Sequence, residues 1–180
     1  MSRPRLAAGA TAFLDRDGTI NEAAAAGEYI VSPAEVRLLP GAAEAIRLLN
    51  EHPARVVVVT NQRGIALGRM SEADLTAVNE RLEQLLVAAG ARLDAIYHCP
   101  HEEGECDCRK PGPAMFERAA REVPGVAIEG AAMIGDSAID VEAGNRLGLT
   151  TVRLGEPAAD PPADHQAPTL LEAVHWLRGR

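Results

Sequence analysis

Asp15 and Asp17, in the run Phe13-Leu14-Asp15-Arg16-Asp17-Gly18-Thr19, carry the spacing that most directly suggests chemistry. The apolar lead-in from Ala10 to Leu14 reads as a buried strand. Residues two apart on a strand point the same way, so the two carboxylates share one site if the extended conformation holds through Asp17. Carboxylates that close repel each other, and a bound cation relieves the repulsion. The motif therefore reads either as a metal-assisted reaction centre or as an acidic turn after a strand, since Asp and Gly favour turns for backbone reasons alone. A calcium-binding EF-hand loop also begins Asp-x-Asp, but it needs Gly at its sixth place and Glu at its twelfth. Ile20 and Ala26 stand there, which excludes it.

A second cluster runs from Cys99-Pro100-His101 through Glu102 to Glu105 and on to Cys106-Asp107-Cys108. Its three thiols and one imidazole match a closed Cys₃His zinc site, and all three cysteines of the chain fall inside it. Four protein ligands leave no open position for water, so such a zinc is structural. Its task would be to pin the loop that leads into Arg109-Lys110-Pro111. His98 adjoins the cluster and competes with His101 as a ligand. Lys110 is the only lysine; Lys and Arg total 18, so seventeen are arginines. A lysine in so biased a chain suggests that a compact point charge is wanted there. Two further polar groups complete the set: Thr60-Asn61-Gln62-Arg63-Gly64, and Gly135-Asp136 followed by Asp140.

The elements that must position these residues alternate between strand and helix. Val56 to Val59 form a run suited to a strand buried on both faces, and Leu93 to His98, Ala131 to Ile134 and Thr150 to Leu154 read as further strands. Helices are predicted over Gly41 to Asn50, from an N-cap at Ser71 to Gly90, over Pro113 to Glu122, over 137–146 and over Thr169 to Arg178. Residues 20–40 read as a loop or small flap, and Gly155 to Pro168, rich in Pro, Ala and Asp, as a surface loop. Alternation of this kind implies a doubly wound, Rossmann-like α/β fold, a parallel sheet with helices on both faces. Ligands of such sheets bind beyond the carboxyl ends of the strands, and each of the four polar groups falls at such an end.

A chain of 180 residues suits a single domain, here 1–180 with the zinc loop 99–108 inside it. The net charge of -8 argues against a broad nucleic-acid or membrane-surface footprint. No run approaches the ~20 apolar residues of a membrane span. The N-terminus only faintly imitates a signal peptide, and no cleavage site would spare the Asp15 motif. Three clustered cysteines are not a disulfide framework. We read a cytoplasmic protein, and expect a monomer.

With the four groups assembled, the chain resembles the haloacid-dehalogenase-like phosphohydrolases, on Asp15-Arg16-Asp17-Gly18-Thr19, Thr60 after its valine strand, Lys110, and Gly135-Asp136 with Asp140. The resemblance spans nearly the whole chain and implies a capless fold with a flap after the first strand. It further implies that Asp15 is the nucleophile, forming an aspartyl phosphate, and that Asp17 is the general acid and then the general base. Mg²⁺ would be held by Asp15, the Asp17 backbone carbonyl and Asp136, while Thr60 and Lys110 stabilise the phosphoryl oxygens. Asp140 and Ser137 stand as supporting residues. The segments Cys-Pro-His, Cys-Asp-Cys-Arg-Lys-Pro, Asp-Arg-Asp-Gly-Thr-Ile-Asn and Thr-Asn-Gln-x-Gly-Ile look like those of the D-glycero-D-manno-heptose 1,7-bisphosphate phosphatases. That family removes the 7-phosphate during heptose supply for cell-surface glycans, and the match selects Cys99, His101, Cys106 and Cys108 as the zinc ligands.

By position in the same family, Asn21, Tyr29, Asn61, Gln62, Arg63 and Arg109 would contact a small phosphorylated sugar, Arg109 being suited to a second phosphate. Departures from the pattern are Arg63, where many relatives carry Ser, Ser137, where some carry Lys, and the Ala-rich stretch from Glu22 to Glu28. They put the exact sugar in doubt and leave the reaction class intact. Histidinol-phosphate phosphatase, a DNA 3′-phosphatase and an inactive zinc-stabilised binding module are the competing readings.

Overall fold

The computed structural model describes residues 6–156 and 160–179. Val56 to Val59 show why a parallel sheet forms. They lie in β2 (Arg55–Asn61), where successive side chains point to opposite faces, and all four are fully buried. Val56 and Val58 join one hydrophobic cluster while Val57 and Val59 join the other. β1 (Thr11–Leu14) divides in the same way: Ala12 and Leu14 face one core, and Phe13 the other.

Around β1 the sheet takes the order β3-β2-β1-β4-β5-β6, with every pairing parallel. The remaining strands are β3 (Ala95–Cys99), β4 (Ala132–Gly135), β5 (Thr150–Leu154) and β6 (His165–Ala167). On one face lie α1 (Ala42–Glu51), α2 (Glu72–Ala88) and α5 (Leu170–Leu177), through Ile46, Leu49, Val78, Leu82, Leu86 and Val174. On the other lie α3 (Ala114–Glu122) and α4 (Ala138–Leu147). Phe116 of α3 meets Phe13 edge-on, with ring centroids 4.9 Å apart. The helical crossovers between the parallel strands thus cover both faces, as the alternation predicts.

One expectation is corrected. The stretch from Gly155 to Pro168 is not all loop: β6 pairs with β5 in the register Val152↔His165, Arg153↔Gln166 and Leu154↔Ala167. Its three residues include one buried apolar side chain, Ala167, too little for any periodicity to register. Tertiary contact makes the strand, including the stack of His165 on Trp176 at 4.3 Å. The 20–40 segment is a flap with a single 3₁₀ turn at Pro33–Glu35, capped by Ser32 and Glu35. No helix among the described residues is long and apolar enough to cross a membrane.

Candidate active site

Because all strands run the same way, their C-terminal ends bring the four polar groups to one edge of the sheet. Asp15 continues β1 for one more residue, its N–H donating to the Ile134 carbonyl at 3.0 Å. The chain then turns at Gly18, at φ +79°. A Cβ at Gly18 would lie 2.1 Å from Asp136 Oδ2, so the turn packs directly against the carboxylate that ends β4. Gly135 is required for a similar reason, since a Cβ there would lie 2.3 Å from the carboxyl carbon of Asp140.

Lys110 stands at the centre, 3% exposed. Its Nζ donates to Asp15 Oδ1 at 2.9 Å and to Asp140 Oδ1 at 2.6 Å. The other oxygen of Asp140 accepts from the Ser137 hydroxyl at 2.6 Å and the Ser137 N–H at 3.1 Å. Ser137 is the N-cap of α4 and Asp140 its third residue, so one capping box both starts the helix and aims a carboxylate at the lysine. Burial opposes the charge on Lys110, but Asp140 and Asp15 outweigh it and hold the ammonium above the ordinary lysine range. Burial likewise pushes the Asp15 carboxyl up to about 7, against the pull of Lys110 and with repulsion from Asp140. Asp136 is raised by burial and by Asp140.

Asp17 behaves in the opposite sense. Burial works against its charge, yet the Arg16 guanidinium and the amides of Asn21 and Gln62 hold its carboxyl below the usual range. Arg16 forks onto it, Nε to Oδ1 at 3.1 Å and Nη2 to Oδ2 at 2.9 Å. Asn21 adds a bond to Oδ1 at 2.8 Å, and Gln62 one to Oδ2 at 2.9 Å. The two carboxylates, two residues apart in the chain, thus stand in opposite surroundings, Asp15 beside other carboxylates and Asp17 among hydrogen-bond donors.

Asp15, Asp17, Thr60, Asn61, Arg109, Lys110, Ser137, Ile139 and Asp140 line a hollow of about 160 Å³. Small-molecule pockets run from ~300 Å³ upward, so this one suits a phosphoryl group and little more. It shares Arg109, Lys110 and Ile139 with a neighbouring groove of about 430 Å³ lined also by Glu103, Gly104 and the α4 residues Glu142 and Arg146. Arg109 has a buried Nη1 without a hydrogen-bond partner, the state of a donor that awaits an anion. A larger cavity of about 510 Å³ touches Gly18 and Asp136 but neither Asp15 nor Lys110.

The residues expected around a substrate separate into two sets. Asn61 spends its amide on the Lys110 backbone, accepting from its N–H at 2.9 Å and donating to its carbonyl at 3.1 Å. Gln62 is buried and bridges Asp17 to Thr60, the second bond being 2.9 Å. Asn21 is buried on Asp17. These three hold Asp17, Thr60 and the Lys110 backbone in place. Arg109 alone of the six lines the hollow with a free donor. Tyr29 lies with its ring against Gly64, where a Cβ would come within 2.8 Å, and Arg63 reaches Glu102 of the cysteine loop at 3.4 Å. Arg16 and its partner Asn79, at 2.8 Å, belong to the site and were not singled out in the sequence. The available signal was Asn79 itself, four residues after Leu75 and three before Leu82, a polar residue within an apolar stripe.

Both clusters fit the metals suggested for them. Asp15, Asp136 and Asp140 each bring a carboxylate oxygen within 4.8 Å of the others. The donors are all oxygen, as a hard divalent cation requires. Since Lys110 and Ser137 occupy Asp140, the carboxylates available to a cation are those of Asp15 and Asp136. In the cysteine loop, Cys99, Cys106 and Cys108 sulfurs lie 3.1 to 3.5 Å apart, and His101 Nδ1 is 3.3 Å from Cys108 and 3.7 Å from Cys99. Bond lengths of ~2.3 Å to a tetrahedral zinc imply sulfur separations of about 3.8 Å, close to these edges. His98 is turned away, paired with Glu72 at 2.9 Å. Burial opposes ionisation of the thiols, but hydrogen bonds from Cys108 and the Arg109 backbone bring Cys106 down to about 7.

A parallel sheet with paired aspartates after its central strand, and with a lysine and a further aspartate at neighbouring strand ends, defines a HAD-like hydrolase. The HAD-hydrolase-like family profile matches residues 107–173. The chain is 41% identical over 152 residues to the D-glycero-D-manno-heptose-1,7-bisphosphate 7-phosphatase of Chlorobaculum tepidum, covering 78% of this chain and 75% of that one. It is also 41% identical over 150 residues to the β-heptose counterpart of Rhodopseudomonas palustris, covering 79% and 81%. The crystal structure of D,D-heptose 1,7-bisphosphate phosphatase from B. bronchiseptica, complexed with magnesium and phosphate, superposes with a TM-score of 0.83 at 31% identity, over 93% of this chain and 97% of that one. The chain belongs to the D-glycero-D-manno-heptose 1,7-bisphosphate 7-phosphatase family.

Proposed function

We propose that this protein hydrolyses the 7-phosphate of D-glycero-D-manno-heptose 1,7-bisphosphate through an aspartyl phosphate on Asp15. The observation that carries the reading is the hollow itself, sized for one phosphoryl group and holding Asp15, Thr60 and Lys110 together, in a chain of this family. Asp15 attacks phosphorus as the bond to the leaving oxygen breaks, and Asp17 supplies that oxygen with a proton. Water then attacks the aspartyl phosphate, giving its proton back to Asp17. Lys110 and the Thr60 hydroxyl meet the charge that spreads over the phosphoryl oxygens. Four hydrogen bonds fill the lone-pair sites of Asp17, so exchanging a proton requires one donor to yield. Gln62, which also bonds Thr60 in the wall of the hollow, is the donor placed to do so.

Asp15, Asp136 and the Asp17 carbonyl are the groups that would hold Mg²⁺, which when bound supplies positive charge beside the transferring group. The sugar extends from the hollow into the adjoining groove, with Arg109 facing its second phosphate. We read the protein as a cytoplasmic monomer, its cysteines kept reduced as ligands.

Phosphate release with Mg²⁺, measured on heptose 1,7-bisphosphate and on histidinol phosphate, tests this reading. The expected result is a higher kcat/KM on the bisphosphate, and a clear preference for histidinol phosphate would overturn the assignment. The Cys₃His cluster carries its own prediction. Protein purified without added metal is expected to hold about one zinc per chain, and its removal to lower the melting temperature while exposing all three thiols to alkylation. Zinc-free protein of unchanged stability would remove the metal from the account.

A further inference from the structure

We infer that Asn79, outside the hollow on α2, is a positioning residue that acts through Arg16 to orient the Asp17 carboxylate. The inference rests on the phosphatase reading, though not on which sugar is cleaved.

Arg16 is the largest fully buried side chain among the described residues, at 0% exposure. A guanidinium so enclosed persists only where its donors are partnered. Nε and Nη2 fork onto Asp17, whose carboxylate is also held by Asn21 and Gln62, so the carboxylate end of the pair is anchored while the arginine end needs an anchor of its own. The third nitrogen, Nη1, donates to Asn79 Oδ1 at 2.8 Å, across 63 residues of chain. A fork fixes guanidinium and carboxylate relative to each other but lets them rock together about the arginine side-chain bonds. Asn21 and Gln62 limit that motion from the carboxylate side, and the bond to Asn79 limits it from the guanidinium side by fastening Arg16 to a helix. Its own footing is firm, since Leu75, Val78 and Leu82 around it in α2 are buried. Asparagine is a poor helix former, and an amide within an apolar stripe must find a partner. Packing alone gives no reason for asparagine here; the bond to Arg16 does.

The consequence lies in proton delivery. As the bond between Asp15 and phosphorus forms and the bond to the leaving oxygen breaks, Asp17 must stand within hydrogen-bond reach of that oxygen. A misplacement of ~1 Å can cost up to ~10²-fold. A sugar alkoxide needs the proton, whereas p-nitrophenolate leaves as a stable anion and does not. Loss of the Asn79 contact therefore slows one substrate and spares the other.

The experiment compares Asn79→Leu with wild type on a sugar phosphate and on p-nitrophenyl phosphate, reading kcat/KM, which reports steps through formation of the phosphoenzyme. The expected result is a fall of about tenfold on the sugar phosphate and less than about twofold on p-nitrophenyl phosphate. Asn79→Asp, which keeps an acceptor oxygen for Arg16, is expected to restore the sugar-phosphate rate. Asn79→Ser carries the same comparison should the leucine variant not fold. Equal losses on both substrates, or none on either, would overturn the assignment of Asn79. Inactivity of the wild-type protein on both would instead overturn the phosphatase reading.

Discussion

Replacing Asp15 by Asn is expected to lower phosphatase kcat/KM by at least about 10⁴-fold while the protein stays folded. An amide in the same place keeps the shape of the side chain but has no anionic oxygen to form the bond to phosphorus. The residual rate would come from binding and charge stabilisation by Lys110 and Thr60 alone. Stability should not suffer. Asp15 sits in a buried site among Asp136 and Asp140, where burial pushes its carboxyl up to about 7, so a neutral amide relieves repulsion at the cost of one bond to Lys110. Phosphate release and thermal melting of the purified variant check both halves. Retention of more than about a hundredth of the wild-type rate would contradict an aspartyl-phosphate mechanism.

Lys110→Met is expected to damage both stability and rate. Among the described residues the lysine is the only cation bonded to Asp140, whose side chain is 1% exposed. Removing one member of a buried pair leaves an uncompensated charge, which costs about 3–5 kcal/mol. For a chain of this size the melting temperature should fall by roughly 10 °C. Loss of the positive charge facing the phosphoryl oxygens should lower kcat by a further ~10²-fold to 10³-fold. The two effects can be separated. Adding Asp140→Asn to Lys110→Met removes the stranded carboxylate, so stability should recover in part while activity does not. Lys110→Arg should fail to rescue either, because a site 2% open to solvent, fitted to one compact ammonium between two carboxylates, has no room for a planar fork. A double variant as unstable as the single one would show that Lys110 does not stabilise the fold by neutralising Asp140.

Much of the architecture was legible before any coordinates. The four-valine run announced a strand buried on both faces, Ser71 announced the start of α2, and both features are where the pattern put them. β6 was not legible, because three residues with one buried side chain carry no period. Within the site, the residue types were readable but not always their immediate partners. Asn61 and Gln62 follow Thr60 into the site, and nothing in their order tells that one clasps the Lys110 backbone and the other bridges Asp17 to Thr60. Ser137 read as the loss of a positive charge; in the fold it caps α4 and steadies Asp140.

The sequence by itself determined five of the six strands, the paired-aspartate motif and the cysteine loop. Each is written in a short contiguous run, where backbone periodicity or ligand spacing acts over a few residues. Only the tertiary structure decided how those runs meet. Lys110 bridges Asp15 and Asp140 across 95 and 30 residues, and Arg16 reaches Asn79 across 63. Such pairings are chosen by which strand ends lie side by side and by the demand that every buried charge find a partner. No local pattern encodes either choice. Asp15 and Asp17 could be picked out as a pair from their neighbours in the chain, but the surroundings that set Asp17 apart from Asp15 exist only once the helices have closed over the sheet.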